Sequence, residues 1–283
     1  MDDGSRPAVG RRGIMMGSLI AGLTLATTRV DAEAIRTDSA GLVAEEVHLP
    51  VGDGTLPAYA ARPDGAGPFP TVLVIEEIFG VHEYIADVCR RLAHQGYLAI
   101  APELYARIAD LSKMSDVQQI IREVIARAPD AQVMSDLDAA AAWAGRNGGD
   151  PRQLAVTGFC RGGRDVWLYA AHNPALRAAV AWYGPTGGAT SAIQPKTAAD
   201  VATALKCPLL GLYGGQDAAI RVDDVEAAAA RARAAGRQVE IVIYPDAPHG
   251  FHADYRPIYR AADAADGWHR MLAFFRVHGV GGS

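Results

Sequence analysis

The sequence predicts an α/β chain built on a doubly wound, mostly parallel sheet. Three observations carry this. Apolar, often β-branched runs at 71–75, 97–101, 178–183, 208–213 and 239–244 read as strands covered on both faces. Segments of helical spacing lie among them, at 84–95, 115–127, 130–146, 161–172, 222–235 and 256–275. Strand and helix follow one another along most of the chain, an order that favours a parallel sheet over a sandwich or a bundle.

The remaining elements follow from local pattern. Residues 42–49 alternate in polarity and open the sheet, and 55–61 form the hairpin partner across Gly52-Asp53-Gly54. The segment from Pro63 to Pro68 is a loop by composition. Residues 154–157 form a short strand that runs into Gly158. No internal repeat is present. No gap between sheet elements is long enough for a separate cap domain, so residues 35–283 are expected to form one domain with a fairly open pocket.

The 283 residues are 50% hydrophobic, ample for one core. A net charge of −5 and the lack of any basic run set nucleic acid aside as a partner. The expected partner is a small molecule, and the expected state is a monomer. The three cysteines, Cys89, Cys160 and Cys207, have no CxxC or metal-ligand spacing, so neither metal nor cofactor is expected. Cys89 and Cys207 read as small core residues.

Residues 1–34 read as a twin-arginine export signal. Arg11-Arg12 precedes sixteen uncharged residues, 13–28, and Ala32-Glu33-Ala34 fits a small-residue cleavage site. Sixteen residues fall short of the roughly 20 that span a bilayer as a helix. The expected location is periplasmic or extracellular, and the expected partner in transit is the twin-arginine export machinery.

Gly158-Phe159-Cys160-Arg161-Gly162 has the G-x-nucleophile-x-G form of a nucleophile elbow, with a strand before it and a helix after it. A nucleophile in a strained strand-to-helix turn leaves no room for side chains two positions away, and glycine meets that need. Gly163 gives the helix room against the sheet. The helix N-terminus turns its positive dipole end to the sulfur, which favours thiolate. This elbow, on this order of elements, predicts the α/β-hydrolase fold.

A thiol nucleophile needs a base, and the base an orienting group. Asp217 follows the 208–213 strand through Gly214-Gly215-Gln216, and His249 follows the 239–244 strand between Pro248 and Gly250. Both therefore fall at the sheet edge that carries the elbow, in the order nucleophile, acid, histidine. His252 competes for the role of base, and Asp223, Asp224 and Asp246 compete weakly for that of acid.

The chain resembles the dienelactone hydrolase (carboxymethylenebutenolidase) family. The likeness rests on Glu77-Ile78-Phe79-Gly80-Val81-His82, Pro102-Glu103-Leu104-Tyr105-Ala106-Arg107, the elbow with its Cys160, and Tyr183-Gly184. It implies hydrolysis of an ester or enol-lactone by Cys160, His249 and Asp217. It further implies that Glu77 contacts the resting thiol and helps generate thiolate when substrate binds; Glu76, its neighbour, could be confused with it. The backbone N–H groups of Ile78 and Arg161 match the oxyanion hole, and both positions also suit that role on their own. Phe79, Tyr105, Tyr183 and Phe251 are expected to line the substrate pocket.

The archetypal members hold a substrate carboxylate with arginines, one of them four residues after the catalytic histidine. That place is Ala253 here, with Arg256 further on and Arg161 a possible substitute. Other acyl substrates, cleaved by a carboxylesterase or thioesterase, are the alternative within enzymes. A binding protein on the same fold would have no need of all three triad groups, and a thiol redox protein would need a resolving cysteine near Cys160.

Overall fold

The computed structural model describes residues 34–281. Apart from Ala34, the expected export signal lies outside them. Eight strands form one sheet in the order β1-β2-β4-β3-β5-β6-β7-β8. The antiparallel hairpin of β1 (Leu42–Val51) and β2 (Gly54–Pro63) joins the sheet through β4 (Leu98–Pro102). From there β3 (Phe69–Ile75), β5 (Gly149–Phe159), β6 (Leu176–Trp182), β7 (Leu209–Gly214) and β8 (Val239–Tyr244) all run parallel. Their carboxyl ends consequently share one edge.

Alternate strand residues feed two separate cores, because successive side chains on a strand point to opposite faces. Leu73, Ile75 and Val156 pack with helices α3 (Asp130–Arg146) and α4 (Arg161–His172). Val72, Val74 and Ala155 pack on the other face with α1 (Glu83–His94) and α7 (Ala261–Val277). Helix α6 (Val222–Ala234) lies against β8 at the far end of the sheet. The layers are those of an α/β-hydrolase fold, and no cap domain interrupts them among the described residues.

Four elements depart from the sequence reading. The segment 115–127 is not one helix: α2 (Val117–Glu123) stops at Val124 and a 3-10 turn, Ile125–Arg127, follows. The strand expected at 154–157 extends over Gly149–Phe159, with a register shift against each neighbour. The last helix starts at Ala261, not at residue 256. Pro257 accounts for this, since the residue before a proline is pushed out of helical backbone. A short helix, α5 (Ala198–Val201), had not been assigned; its start is fixed by reciprocal hydrogen bonds between Thr197 and Asp200.

Candidate active site

Five loops at the carboxyl edge of the sheet build the site. Strand β5 ends at Phe159, and Cys160 turns the chain into α4 with φ 54° and ψ −117°. A non-glycine residue with positive φ is strained, and such strain persists only where the surroundings enforce it. The enforcement is visible in the glycines. A Cβ on Gly158 would sit 2.5 Å from the carbonyl oxygen of Gly162, and one on Gly162 would sit 2.5 Å from those of Ile75 and Glu76. Gly163 has the same problem with Trp182, whose carbonyl oxygen would lie 2.6 Å away. The elbow therefore wedges between the ends of β3 and β6.

Two more glycines draw the acid and the base together. A Cβ on Gly214 would lie 2.3 Å from the carbonyl oxygen of Ala247, and one on Gly215 would lie 2.6 Å from that of Pro245. The loops after β7 and β8 approach closely enough for Gly215 N–H to donate to Tyr244 O at 2.7 Å and Gln216 N–H to Ala247 O at 3.0 Å. Asp217 and His249 are thus carried on one backbone-paired unit. His249 Nδ1 is 2.7 Å from Asp217 Oδ2, and His249 Nε2 is 3.1 Å from Cys160 Sγ. The other carboxylate oxygen of Asp217 accepts from the N–H groups of Ala219 and Ile220 at 2.8 and 3.0 Å.

The electrostatics suit an ion pair between sulfur and imidazole. Burial acts to lower the pKa of His249, but the charges of Cys160 and Asp217 outweigh it and raise the value well above that of free histidine. The rival base, His252, is kept neutral, with burial as the first cause pushing it down to about 3. Its Nδ1 meets Tyr84 Oη at 2.7 Å, away from the thiol.

Glu76 and Glu77 point to different sides, as alternation along an extended chain requires. Glu76 is fully buried and accepts the N–H of Leu104 at 2.8 Å. Burial, with Glu103 and Asp165 nearby, raises its pKa well above the usual carboxyl range. Glu77 faces the 249–256 loop: Tyr255 Oη donates to its Oε2 at 2.9 Å, and Arg256 Nη2 stands 3.8 Å away. Cys160 Sγ pairs with His249, while Glu77 is held by Tyr255 and Arg256.

The amides of Ile78 and Arg161 flank the elbow, and among the described residues neither donates to a backbone carbonyl outside the helices and strands. The Arg161 side chain, in contrast, does not reach toward substrate. It is buried against Asp165 at 3.2 Å, Gln194 at 3.3 Å and Asp130 at 3.4 Å.

The four expected pocket residues sit in different surroundings, and three of them, Tyr105, Tyr183 and Phe251, are fully buried. Tyr105 is fully buried near Asp165, Arg161 and Glu76. Phe251 is equally buried against Trp182 and Tyr244. Large aromatic rings contribute most where all of their surface is covered. Phe79 and Tyr183 do stand at the site. Tyr183 adopts φ 37° and sets its ring edgewise to that of His249, 5.2 Å between centres.

Arg256 is the residue that sequence spacing misplaced. Two successive tight turns, Ala253 N–H to Gly250 O and Arg256 N–H to Ala253 O, fold the loop back and return residue 256 to the site. Its guanidinium lies between the rings of Phe79 and Tyr255, 4.6 and 4.7 Å from their centres, and its Nε has no hydrogen-bond partner among the described residues. With His82, these groups close the site more than the lack of a cap suggests: Cys160 is only 5% exposed. A surface groove of about 750 Å³ opens elsewhere, at the amino edge of the sheet, among Pro151, Pro174, Arg177, Lys206, Cys207 and His278, and holds none of the triad.

Comparison with known proteins places this geometry in context. The model of the family described as "Dienelactone hydrolase family" matches residues 56–279. A protein of Methylorubrum extorquens named "Putative carboxymethylenebutenolidase" is 54% identical over 278 residues, covering 98% of this chain and 96% of the relative. One of the same name from Escherichia coli is 51% identical over 260 residues, covering 92% of this chain and 96% of the relative. A crystal structure titled "Putative Dienelactone Hydrolase", from Klebsiella pneumoniae, superposes with a TM-score of 0.82 at 53% identity, over 83% of this chain and 98% of that one.

Proposed function

The chain belongs to the dienelactone hydrolase family, and on that premise we propose that it cleaves an ester or enol-lactone through a thioester formed on Cys160. The observation that carries this reading is the unbroken line Cys160 Sγ, His249 and Asp217, with spacings of 3.1 and 2.7 Å. In the proposed reaction the thiolate attacks the carbonyl carbon and a C–S bond forms. The developing oxyanion sits between the N–H groups of Ile78 and Arg161. The C–O bond then breaks as the His249 imidazolium gives its proton to the leaving oxygen. Neutral His249 takes a proton from water, the hydroxide attacks the thioester, and acid and thiolate are regenerated.

Arg256 supports an anionic substituent on the substrate. A buried guanidinium with an unused Nε, beside the nucleophile and stacked on two rings, is a ready partner for a carboxylate. Such a group would compete with Glu77 for Arg256.

Rapid acid quench during turnover of a chromogenic ester should leave the acyl group on the peptide that contains Cys160, detected by mass spectrometry. An acyl group found on another residue, or none at a burst amplitude near one per chain, would overturn the reading.

The sequence of the first 34 residues supports export as well. Replacing both Arg11 and Arg12 with lysine should leave the protein in the cytoplasm with its full leader. A parent protein that, isolated from its own host, still begins at Met1 would count against export with cleavage.

A further inference from the structure

A chain of buried and half-buried charges connects the segment around Thr37 to the loop that holds Glu77. Asp87 on α1 is fully buried. Its Oδ1 accepts Thr37 N–H at 2.6 Å and Arg90 Nη2 at 3.1 Å. Its Oδ2 accepts Arg91 Nε at 2.5 Å. Arg90 Nε also donates to Thr37 O at 2.9 Å, so this segment lies fastened along the helix. Arg91 then reaches across to Asp254 with Nη2. Asp254 is 3% exposed and immediately precedes Tyr255 and Arg256, the two residues that hold Glu77.

Asp254 sits within the second of the tight turns that return the chain to the site, and Arg91 grips the carboxylate at that point. Stability alone is a weak reason for such an arrangement, since buried ion pairs often contribute no more than apolar side chains of the same volume. Direction is what it supplies. One planar guanidinium binds two carboxylates at once and fixes the angle between a helix and a loop, which a single ammonium cannot do.

We propose that Asp87, Arg91 and Asp254 are positioning residues, a relay that sets Tyr255 and Arg256 against Glu77 and thereby the grip on an anionic substrate. The inference rests on the reading of Arg256 as the anchor for a substrate carboxylate. None of the three residues contacts the triad, so their effect should appear in recognition of charge and not in the chemistry of acyl transfer.

Arg91→Lys and Asp254→Asn keep the side-chain volume and lose the two-sided grip. Two ratios read the result. The first compares kcat/KM for an aryl half-ester with a free carboxylate against that for an uncharged aryl acetate. The second compares the rates at which iodoacetate and iodoacetamide alkylate Cys160. Both ratios should fall roughly tenfold, chiefly through KM in the first case, as a shift of about 1 Å in a binding group can do. The rate for the uncharged acetate should stay within about twofold of the parent's. Arg256→Met is measured alongside. If it lowers both ratios while Arg91→Lys and Asp254→Asn, folded by circular dichroism, leave them unchanged or slow both esters alike, the relay is overturned and the anchor stands. If Arg256→Met leaves both ratios intact, the anchor falls and the relay with it.

Discussion

Cys160→Ala is expected to lower ester or lactone hydrolysis by at least about 10⁴-fold, because removal of a nucleophile leaves only binding and oxyanion stabilisation. Cys89→Ala and Cys207→Ala should keep most of the activity. The contrast follows from surroundings. Cys160 lies at a helix N-terminus, 3.1 Å from an imidazole whose pKa is raised. Burial alone drives the Cys207 thiol up to about 12 and is the leading cause of a still larger rise at Cys89, so neither forms thiolate at neutral pH. Cys89 has no exposed surface, and its truncation should cost about 1–2 kcal/mol of stability. Alanine at 160 leaves the backbone strain in place and adds no atoms, so the variant should fold. Steady-state hydrolysis with thermal melting checks all three, and a Cys160→Ala enzyme that turns over like the parent would remove the cysteine mechanism.

The meeting of Cys160, His249 and Asp217 was legible because each falls at the carboxyl end of a buried strand, beside glycines that only a close approach requires. Gly158 and Gly162 mark the elbow, and Gly214 and Gly215 mark the crossing of two loops. These are backbone needs, and the sequence carries them as residue type. The doubly wound sheet was legible for a similar reason, since strands buried on both faces leave uninterrupted apolar runs.

Side-chain direction was harder to read. Arg256 looked like the first turn of a helix because apolar residues at helical spacing continue to Phe275. Pro257 was the available signal that the helix must begin later. Phe251 lies two residues from His249 and Tyr105 just past the carboxyl end of β4, yet their rings pack into the two cores. Proximity along the chain does not say which face of the sheet a ring will cover. Arg161 shows the same separation within one residue. Its amide faces the elbow while its guanidinium turns to Asp165, four positions on, and to Asp130, 31 positions back.

Asp217→Asn should reduce kcat/KM by roughly 10²- to 10³-fold, less than the 10⁴ known for the matching change in a serine protease, because a thiolate is nucleophilic without full help from its base. The geometry dictates how the amide must sit. Oδ1 of Asp217 already accepts two backbone N–H groups, from Ala219 and Ile220. An asparagine keeps those bonds only with its carbonyl oxygen in that place, so its NH₂ must face His249 Nδ1. Nδ1 would then have to accept, and the remaining proton of a neutral ring would move to Nε2, against the sulfur. The ring could no longer rest as an imidazolium supported on both sides. Asp217 raises the His249 pKa, so its loss must lower it. The imidazolium disappears as pH rises through that value, and the alkaline limb of the kcat/KM profile should therefore move to lower pH in the variant. A pH profile measured on the folded variant checks both the size of the loss and its sign. An alkaline limb that stays in place would mean that Asp217 only orients the ring and contributes no charge to the pair.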